Sequence, residues 1–366
     1  MKIYRNNRSA RSQNPAPRLF RVSAERPLAL LAECPAHAPT PIVDCPALAA
    51  SLGIASLRVK DESGRMGLGS FKALGGAFAV AQLLREKATA VLGRIVDPDE
   101  LTGDIVGKIA GKQTFITASA GNHGLSVAAG AKVFGARAVI ILPKTAPEAF
   151  AGRIRAIGAD VIRVAGSYED SVAAAIDLAD KNDWQLLADG SWPGYVEAPA
   201  LVMEGYTVLA EECRAEFETG GDWPSHVFLQ AGVGGLAASV AAHIRETWPK
   251  QPTVIIVEPD AAPCLCRSAR AGEMTRADGP VSNMGRLDCK DASLIAFESL
   301  RHDADIFTTV TDAQAGLAAN ILTDHGIATT PSGAAGFAAL NTRESCRDFS
   351  LGAESRCLVI VSEGPE

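Results

Sequence analysis

Lys72 sits in the stretch GRMGLGSFKALGGAFAV (64–80), between a glycine-rich turn and a run of small residues. Lysine is costly to take out of water, so that position calls for a chemical reason. A desolvated amine loses proton affinity and can form an imine with an aldehyde. Gly75, Gly76 and Ala77 beside it suggest space for a flat ligand. In SAGNHG (119–124), Ser119 and Asn122 offer side-chain donors, and Ala120, Gly121 and His123 offer backbone N–H groups. Together they suit a carboxylate, although a loop histidine is more often structural than an acid or base. QAGVGGLAA (230–238) carries Gly232, Val233, Gly234 and Gly235 where a strand passes into a helix, which presents bare backbone donors to a phosphate. The same segment satisfies G-x-G-x-x-A, with Glu258 ending the next strand. Taken alone, it also reads as a dinucleotide fingerprint or as a plain tight turn.

The elements that must position these groups alternate between strand-like and helical runs. SLRVKDE (56–62) reads as a strand, followed by a glycine turn and a helix from about Ser70. TFITAS (114–119), RAVIILP (137–143), DVIRVAG (160–166) and WQLLAD (184–189) read as strands separated by helices. The pattern restarts with a long helix from Ala200, then strands HVFLQAG (226–232), TVIIVEP (253–259) and RCLVIVSEG (356–364). Residues 84–113 read as a polar insertion. The expected architecture is α/β, two open twisted αβα domains with the site in the cleft between them. One domain comprises 1–83 and 194–366, with 1–20 as an arm on a neighbouring subunit. The other, 84–193, is smaller and mobile.

Composition narrows the partners. The 366 residues carry a net charge of −7, against the basic surface that nucleic acid requires. The eight cysteines form no zinc-like cluster, so no metal is expected, although Cys264 and Cys289 could meet near a site entrance. No apolar run approaches the ~20 residues of a membrane span, and the basic N-terminus lacks a signal peptide's apolar core. The expected location is cytoplasmic. An amine, a phosphate cradle and a carboxylate loop in one chain point to pyridoxal phosphate, whereas a dinucleotide needs no such lysine.

SFKALGG, TASAGNHG, AGVGGL and TTPSGAAG (329–336), in that order, resemble the fold-type II pyridoxal-phosphate enzymes. Within that family, DGSWPGYVEAPALVMEGYTVLAEE, VEPDAAPCL and MGRLDCKDASLIAFESL resemble the diaminopropionate ammonia-lyases, and the likeness runs from about Thr40 to Gly364. The resemblance implies that Lys72 holds the cofactor as a Schiff base and removes the substrate's Cα proton. It places Phe71 along the pyridine ring, Asn122 on its phenolic oxygen, Gly232, Val233, Gly234 and Gly235 on its phosphate, and Ser332 at the ring nitrogen. Asp189, in ADGSW, matches the acidic residue that would pair with a substrate ammonium or shuttle a proton. Ala120 departs from the pattern, because the ammonia-lyases carry aspartate there to act on the D-enantiomer.

The expected function is β-elimination from an L-α-amino acid, with 2,3-diaminopropionate giving pyruvate and ammonia, in a homodimer. The alternative keeps the cofactor and expels hydroxyl, as in a serine or threonine dehydratase. A dinucleotide-dependent oxidoreductase or a non-catalytic amino-acid sensor would leave Lys72, Asn122 and Ser332 without work.

Overall fold

The computed structural model describes residues 3–6, 18–34, 36–119, 121–144, 146, 148–166 and 168–365. Ala120 and most of the expected N-terminal arm lie outside that set. Eleven strands are present among the described residues: β1 (Ile3–Arg5), β2 (Ile42–Asp44), β3 (Ser56–Asp61), β4 (Thr114–Ala118), β5 (Arg137–Pro143), β6 (Asp160–Val164), β7 (Gln185–Leu186), β8 (His226–Gln230), β9 (Thr253–Pro259), β10 (Ile306–Val310) and β11 (Arg356–Val361). They form a seven-stranded sheet in the order β1-β10-β9-β8-β11-β3-β2 and a four-stranded sheet in the order β6-β5-β4-β7.

The inner strands of the larger sheet are parallel, and only the edge strands β1 and β2 run antiparallel to their neighbours. Parallel strands covered on both faces must be apolar throughout. Accordingly, every residue of β4, β8 and β10 is buried. The described part of the arm behaves differently from expectation. Ile3–Arg5 adds an edge strand to the chain's own sheet, pairing with β10.

Helix Lys72–Leu92 packs against helices Asn122–Val133 and Glu197–Gly220. The structure corrects the expectation that Gly75 and Gly76 make room for a flat ligand. A Cβ on Gly75 would fall 2.3 Å from Tyr206 Cε1, and one on Gly76 would fall 2.1 Å from Ser126 Oγ. Both glycines therefore serve helix contacts. The expected insertion also needs correction, because residues 84–92 continue helix Lys72–Leu92, and helix Asp104–Ala110 follows a single 3₁₀ turn, Pro98–Thr102.

Candidate active site

The turn into Lys72 is anchored before the lysine is reached. Arg65 and Glu62 are fully buried. Arg65 Nε donates to Glu62 Oε2 at 2.8 Å, and its Nη1 donates to Glu212 Oε1 at 2.8 Å, which fastens the turn to helix Glu197–Gly220. Lys60 Nζ donates to the same Glu212. Buried charges persist only when paired in this way.

Lys72 Nζ donates to Asp189 Oδ2 at 2.5 Å, and the two side chains are 21% and 18% exposed. Burial alone would lower the lysine's proton affinity, as expected from sequence. The adjacent Asp189 charge overrides that and holds Lys72 above the usual lysine range. Burial likewise works to raise Asp189, but Lys72 holds it well below the usual carboxylate range. The pair is a mutually neutralised amine and carboxylate.

Asp189 is aimed by its flanks. Tyr195 Oη donates to Leu186 O and accepts from Ala188 N, both at 3.0 Å, and the Tyr195 ring stacks on Trp192. Ser191 Oγ lies 2.7 Å from Ser293 Oγ and accepts from Ile295 N, tying the turn after Asp189 to the start of helix Leu294–Asp303.

Gly234 adopts φ +102°, a conformation that a side chain would strain, as the chain enters helix Gly235–Thr247. A Cβ on Gly232 would lie 3.0 Å from Cys289 Sγ and 3.1 Å from Leu287 Cα. Around Gly235 the nearest atoms to an added Cβ are Tyr206 Cε2 at 3.6 Å and Met203 Cγ at 3.7 Å. A Cβ at Gly235 would therefore sit in ordinary van der Waals contact, whereas Gly232 and Gly234 are tightly packed. Cys264 and Cys289 both approach Gly232, Cys264 Sγ donating to its carbonyl at 3.5 Å, and both are free thiols.

Ser332, 3% exposed, belongs to helix Pro331–Leu340, which Thr330 caps. Its Oγ accepts from Arg286 N at 3.2 Å, which leaves the hydroxyl hydrogen to donate elsewhere. Asn122 Nδ2 donates to Glu363 Oε2, and Thr330 Oγ1 donates to Glu363 Oε1, both at 2.6 Å.

The carboxylate loop is folded on itself. Ser119 Oγ accepts from Gly121 N at 3.2 Å and from Gly124 N at 2.9 Å. His123 is buried, with Nε2 2.8 Å from Leu187 O, and burial lowers its proton affinity, so it is neutral near pH 7. Glu258 accepts from Leu265 N and Cys266 N at 2.7 Å, capping helix Cys264–Ala271, and has no exposed surface. It is not placed to hold a ribose.

Tyr206, which carries no chemical motif in the sequence, is 1% exposed. Its ring meets Phe71 edge-on at 4.9 Å, and the Lys72 ammonium lies 5.8 Å from its centroid. Burial pushes the phenol up to about 12, with Lys72 partly offsetting this by charge and hydrogen bonding, and its oxygen has no other hydrogen-bond partner among the described residues. A buried unsatisfied donor costs free energy and implies a missing partner. This phenol, whose ring borders Gly235, the glycine-lined start of helix Gly235–Thr247, the Lys72 amine and the donor-ready Ser332 fit pyridoxal phosphate. Glu363, Arg286 and Thr330 also border the site, and although each lies in a stretch noted in the sequence, none was expected to have a role of its own. Glu363 follows a central strand, a position where open sheets carry function, and that is the available signal.

Comparison with known proteins agrees with the chemistry. Residues 34–363 match the family described as pyridoxal-phosphate dependent enzyme. The diaminopropionate ammonia-lyase of Escherichia coli K12 is 35% identical over 343 residues, covering 90% of this chain and 85% of the relative. The crystal structure of the Escherichia coli diaminopropionate ammonia-lyase in complex with D-serine superposes with a TM-score of 0.88 at 31% identity, covering 99% of this chain and 93% of that one. Threonine deaminase isoform 2 from Solanum lycopersicum, in its processed form, shares the fold at a TM-score of 0.74 and 20% identity, covering 100% and 95% of the two chains.

Proposed function

This chain belongs to the pyridoxal-phosphate-dependent enzymes of fold type II, and from that premise we propose that it is an ammonia-lyase releasing ammonia from 2,3-diaminopropionate to leave pyruvate. The observation that carries the reading is the 2.5 Å contact between Lys72 and Asp189. If Lys72 were committed to the cofactor's aldehyde, it would no longer be the free ammonium that donates to Asp189. A partly buried carboxylate without a partner is costly, so Asp189 draws in another cation. The β-ammonium of diaminopropionate is such a cation, and a serine hydroxyl is not.

Lys72, Phe71, Asn122, Gly232, Val233, Gly234, Gly235 and Ser332 would hold the cofactor, with Tyr206 beside the phosphate turn. Bound there, pyridoxal phosphate supplies a sink for the electrons left when the Cα–H bond breaks. Lys72 would take the Cα proton as a neutral amine, once the substrate's β-ammonium had replaced it at Asp189. Asp189 holds the β-nitrogen protonated, so that it departs as ammonia. The loop of Ser119, Ala120, Gly121, Asn122 and His123 receives the substrate carboxylate. The smaller unit, expected at 84–193 but with 84–92 belonging to the helix that carries Lys72, would move to close over the substrate and exclude water. A cytoplasmic homodimer completes the proposal; no described helix is long and apolar enough to cross a membrane.

A serine- or threonine-type dehydratase is the second reading, favoured by Ala120 at the position where the ammonia-lyases carry aspartate. Ammonia release by the holoprotein across L- and D-diaminopropionate, serine and threonine separates the two. Turnover of hydroxyl substrates alone would overturn the first reading.

A further inference from the structure

Helix Asn122–Val133 starts where the two segments that carry the Lys72–Asp189 pair meet. Its Ser126 Oγ donates to the Lys72 carbonyl at 2.6 Å. Its His123 Nε2 lies 2.8 Å from the carbonyl of Leu187, just upstream of Asp189. His123 and Ser126 share one face of the helix, so both look into that junction. A carbonyl can only accept, so Nε2 carries the ring's hydrogen and Nδ1 is left as a bare acceptor. That nitrogen is sealed from water in a residue 3% exposed, and it has no hydrogen-bond partner among the described residues. Buried polar atoms are seldom left in this state without a use.

We infer that His123 accepts, at Nδ1, the proton that the Lys72 ammonium must lose before its nitrogen can act as a base. One N–H bond of the ammonium breaks, one Nδ1–H bond forms, and the positive charge stays within the site. The inference rests on the reading that Lys72 removes the substrate's Cα proton. Electrostatics support it. The charges that reach the imidazole are those of Asp189, which favours a proton on the ring, and Lys72, which opposes it. While Lys72 is an ammonium, burial and that opposition keep His123 neutral. Once Lys72 is neutral the opposition is gone and Asp189 remains, which draws a proton to the ring. Other acceptors around Lys72 are poor. Burial holds the Tyr206 phenol and the Cys289 thiol protonated, each pushed up to about 12. Asp189 has to stay an anion to hold the substrate's β-ammonium. Lys132 on this helix is exposed, as are Arg137, Glu148, Arg153 and Arg155 on strand β5 and helix Glu148–Ile157 packed alongside. Arg85, Glu86 and Lys87 lie in the second half of helix Lys72–Leu92. Arg286 and Glu363 face Gly121 and Asn122 as one charge of each sign.

The test is a nitrogen NMR titration of the full chain with labelled histidine, the His123 signal being identified by its loss in His123→Gln. In the wild-type apoprotein, His123 should stay neutral to below the usual histidine range. In Lys72→Met, or in Lys72→Gln should the first variant fail to fold, its midpoint should rise by about one pH unit or more. Adding Asp189→Asn should bring the midpoint back down. In the holoprotein, His123→Gln keeps a donor for Leu187 and loses the basic nitrogen. Its kcat for diaminopropionate should fall about tenfold or more near pH 7, with KM changed by less than about threefold. Activity should recover as pH rises and solvent takes the Lys72 proton. A His123 midpoint that ignores the charge at position 72, or a His123→Gln pH profile parallel to that of the wild type, overturns the inference. A wild type that leaves diaminopropionate untouched overturns the proposed reaction instead. The nitrogen titration, which needs neither cofactor nor substrate, then still decides the role of His123.

Discussion

Glu363 accepts from Asn122 across 241 positions of sequence at 2.6 Å, fastening the end of β11 to the first residue of helix Asn122–Val133. Its other oxygen takes Thr330, the cap of the helix that carries Ser332. Glu363→Ala strands two donors around a site that is 6% exposed. The expected loss, about 1–2 kcal/mol by urea unfolding of the apoprotein, reflects two part-buried donors left without their acceptor. Glu363→Gln keeps an acceptor for one of them and should lose about half as much. A loss below the scatter of surface variants would show that the carboxylate is idle.

Asp189→Asn distinguishes the leaving groups. It removes the charge partner of a substrate ammonium, so kcat/KM for diaminopropionate should fall by about a hundredfold or more, in keeping with a lost charge-assisted contact at the reacting group. Any turnover of serine should change by less than about threefold, because a hydroxyl needs no anionic partner. Parallel losses on both substrates would mean that Asp189 acts mainly by placing Lys72.

Two glycine-to-alanine changes separate folding from cofactor binding. Gly75→Ala drives a methyl group to 2.3 Å from Tyr206 and 2.6 Å from the Val202 carbonyl. A backbone carbonyl cannot swing aside, so the cost should be about 3 kcal/mol or more. Gly235→Ala meets nothing nearer than 3.6 Å and lies at the first position of its helix, where alanine is tolerated. That apoprotein should be as stable as the wild type yet retain pyridoxal phosphate poorly, as read by equilibrium dialysis. Normal retention would remove Gly235 from the phosphate cradle.

Tyr206→Phe removes a buried hydroxyl that has no hydrogen-bond partner beyond Lys72 among the described residues. Apoprotein stability should stay level or rise by up to about 1 kcal/mol, since Lys72 keeps its contact with Asp189. The holoprotein should release cofactor about three- to tenfold faster if the hydroxyl serves the phosphate, a change of about 1 kcal/mol. A destabilised apoprotein with unchanged cofactor release would give the phenol a purely structural role.

The alternation of strands and helices is legible because each buried parallel strand is a short apolar run. HVFLQ and TVIIVEP announce β8 and β9 without ambiguity. β10 escapes notice although IFTTV is rich in β-branched residues, because only Ala304 and Asp305 separate it from helix Leu294–Asp303 and no turn signal brackets it. The edge strands β1 and β2 have three residues each, too few to show alternation. At the site, Lys72, the glycine turn and the loop 119–124 can be found because each carries its chemistry within a few consecutive residues. Tyr206, Glu363 and Arg286 cannot. Their significance lies in contacts between segments far apart in the chain, and on their own helices or loops they look like an ordinary core aromatic and two ordinary charges.

β11 lies between β3 and β8, so the strand that leads into Lys72 gains its parallel neighbour only when residues 356–361 are available. The four-stranded sheet, by contrast, draws all its strands from 114–186 and can assemble while the chain is still emerging from the ribosome. Closing the larger sheet requires pairing segments nearly the whole chain apart, which is slow and leaves strand edges open in the meantime. The newborn protein therefore completes the sheet that leads into residues 119–124 before Glu363, which holds Asn122, has emerged.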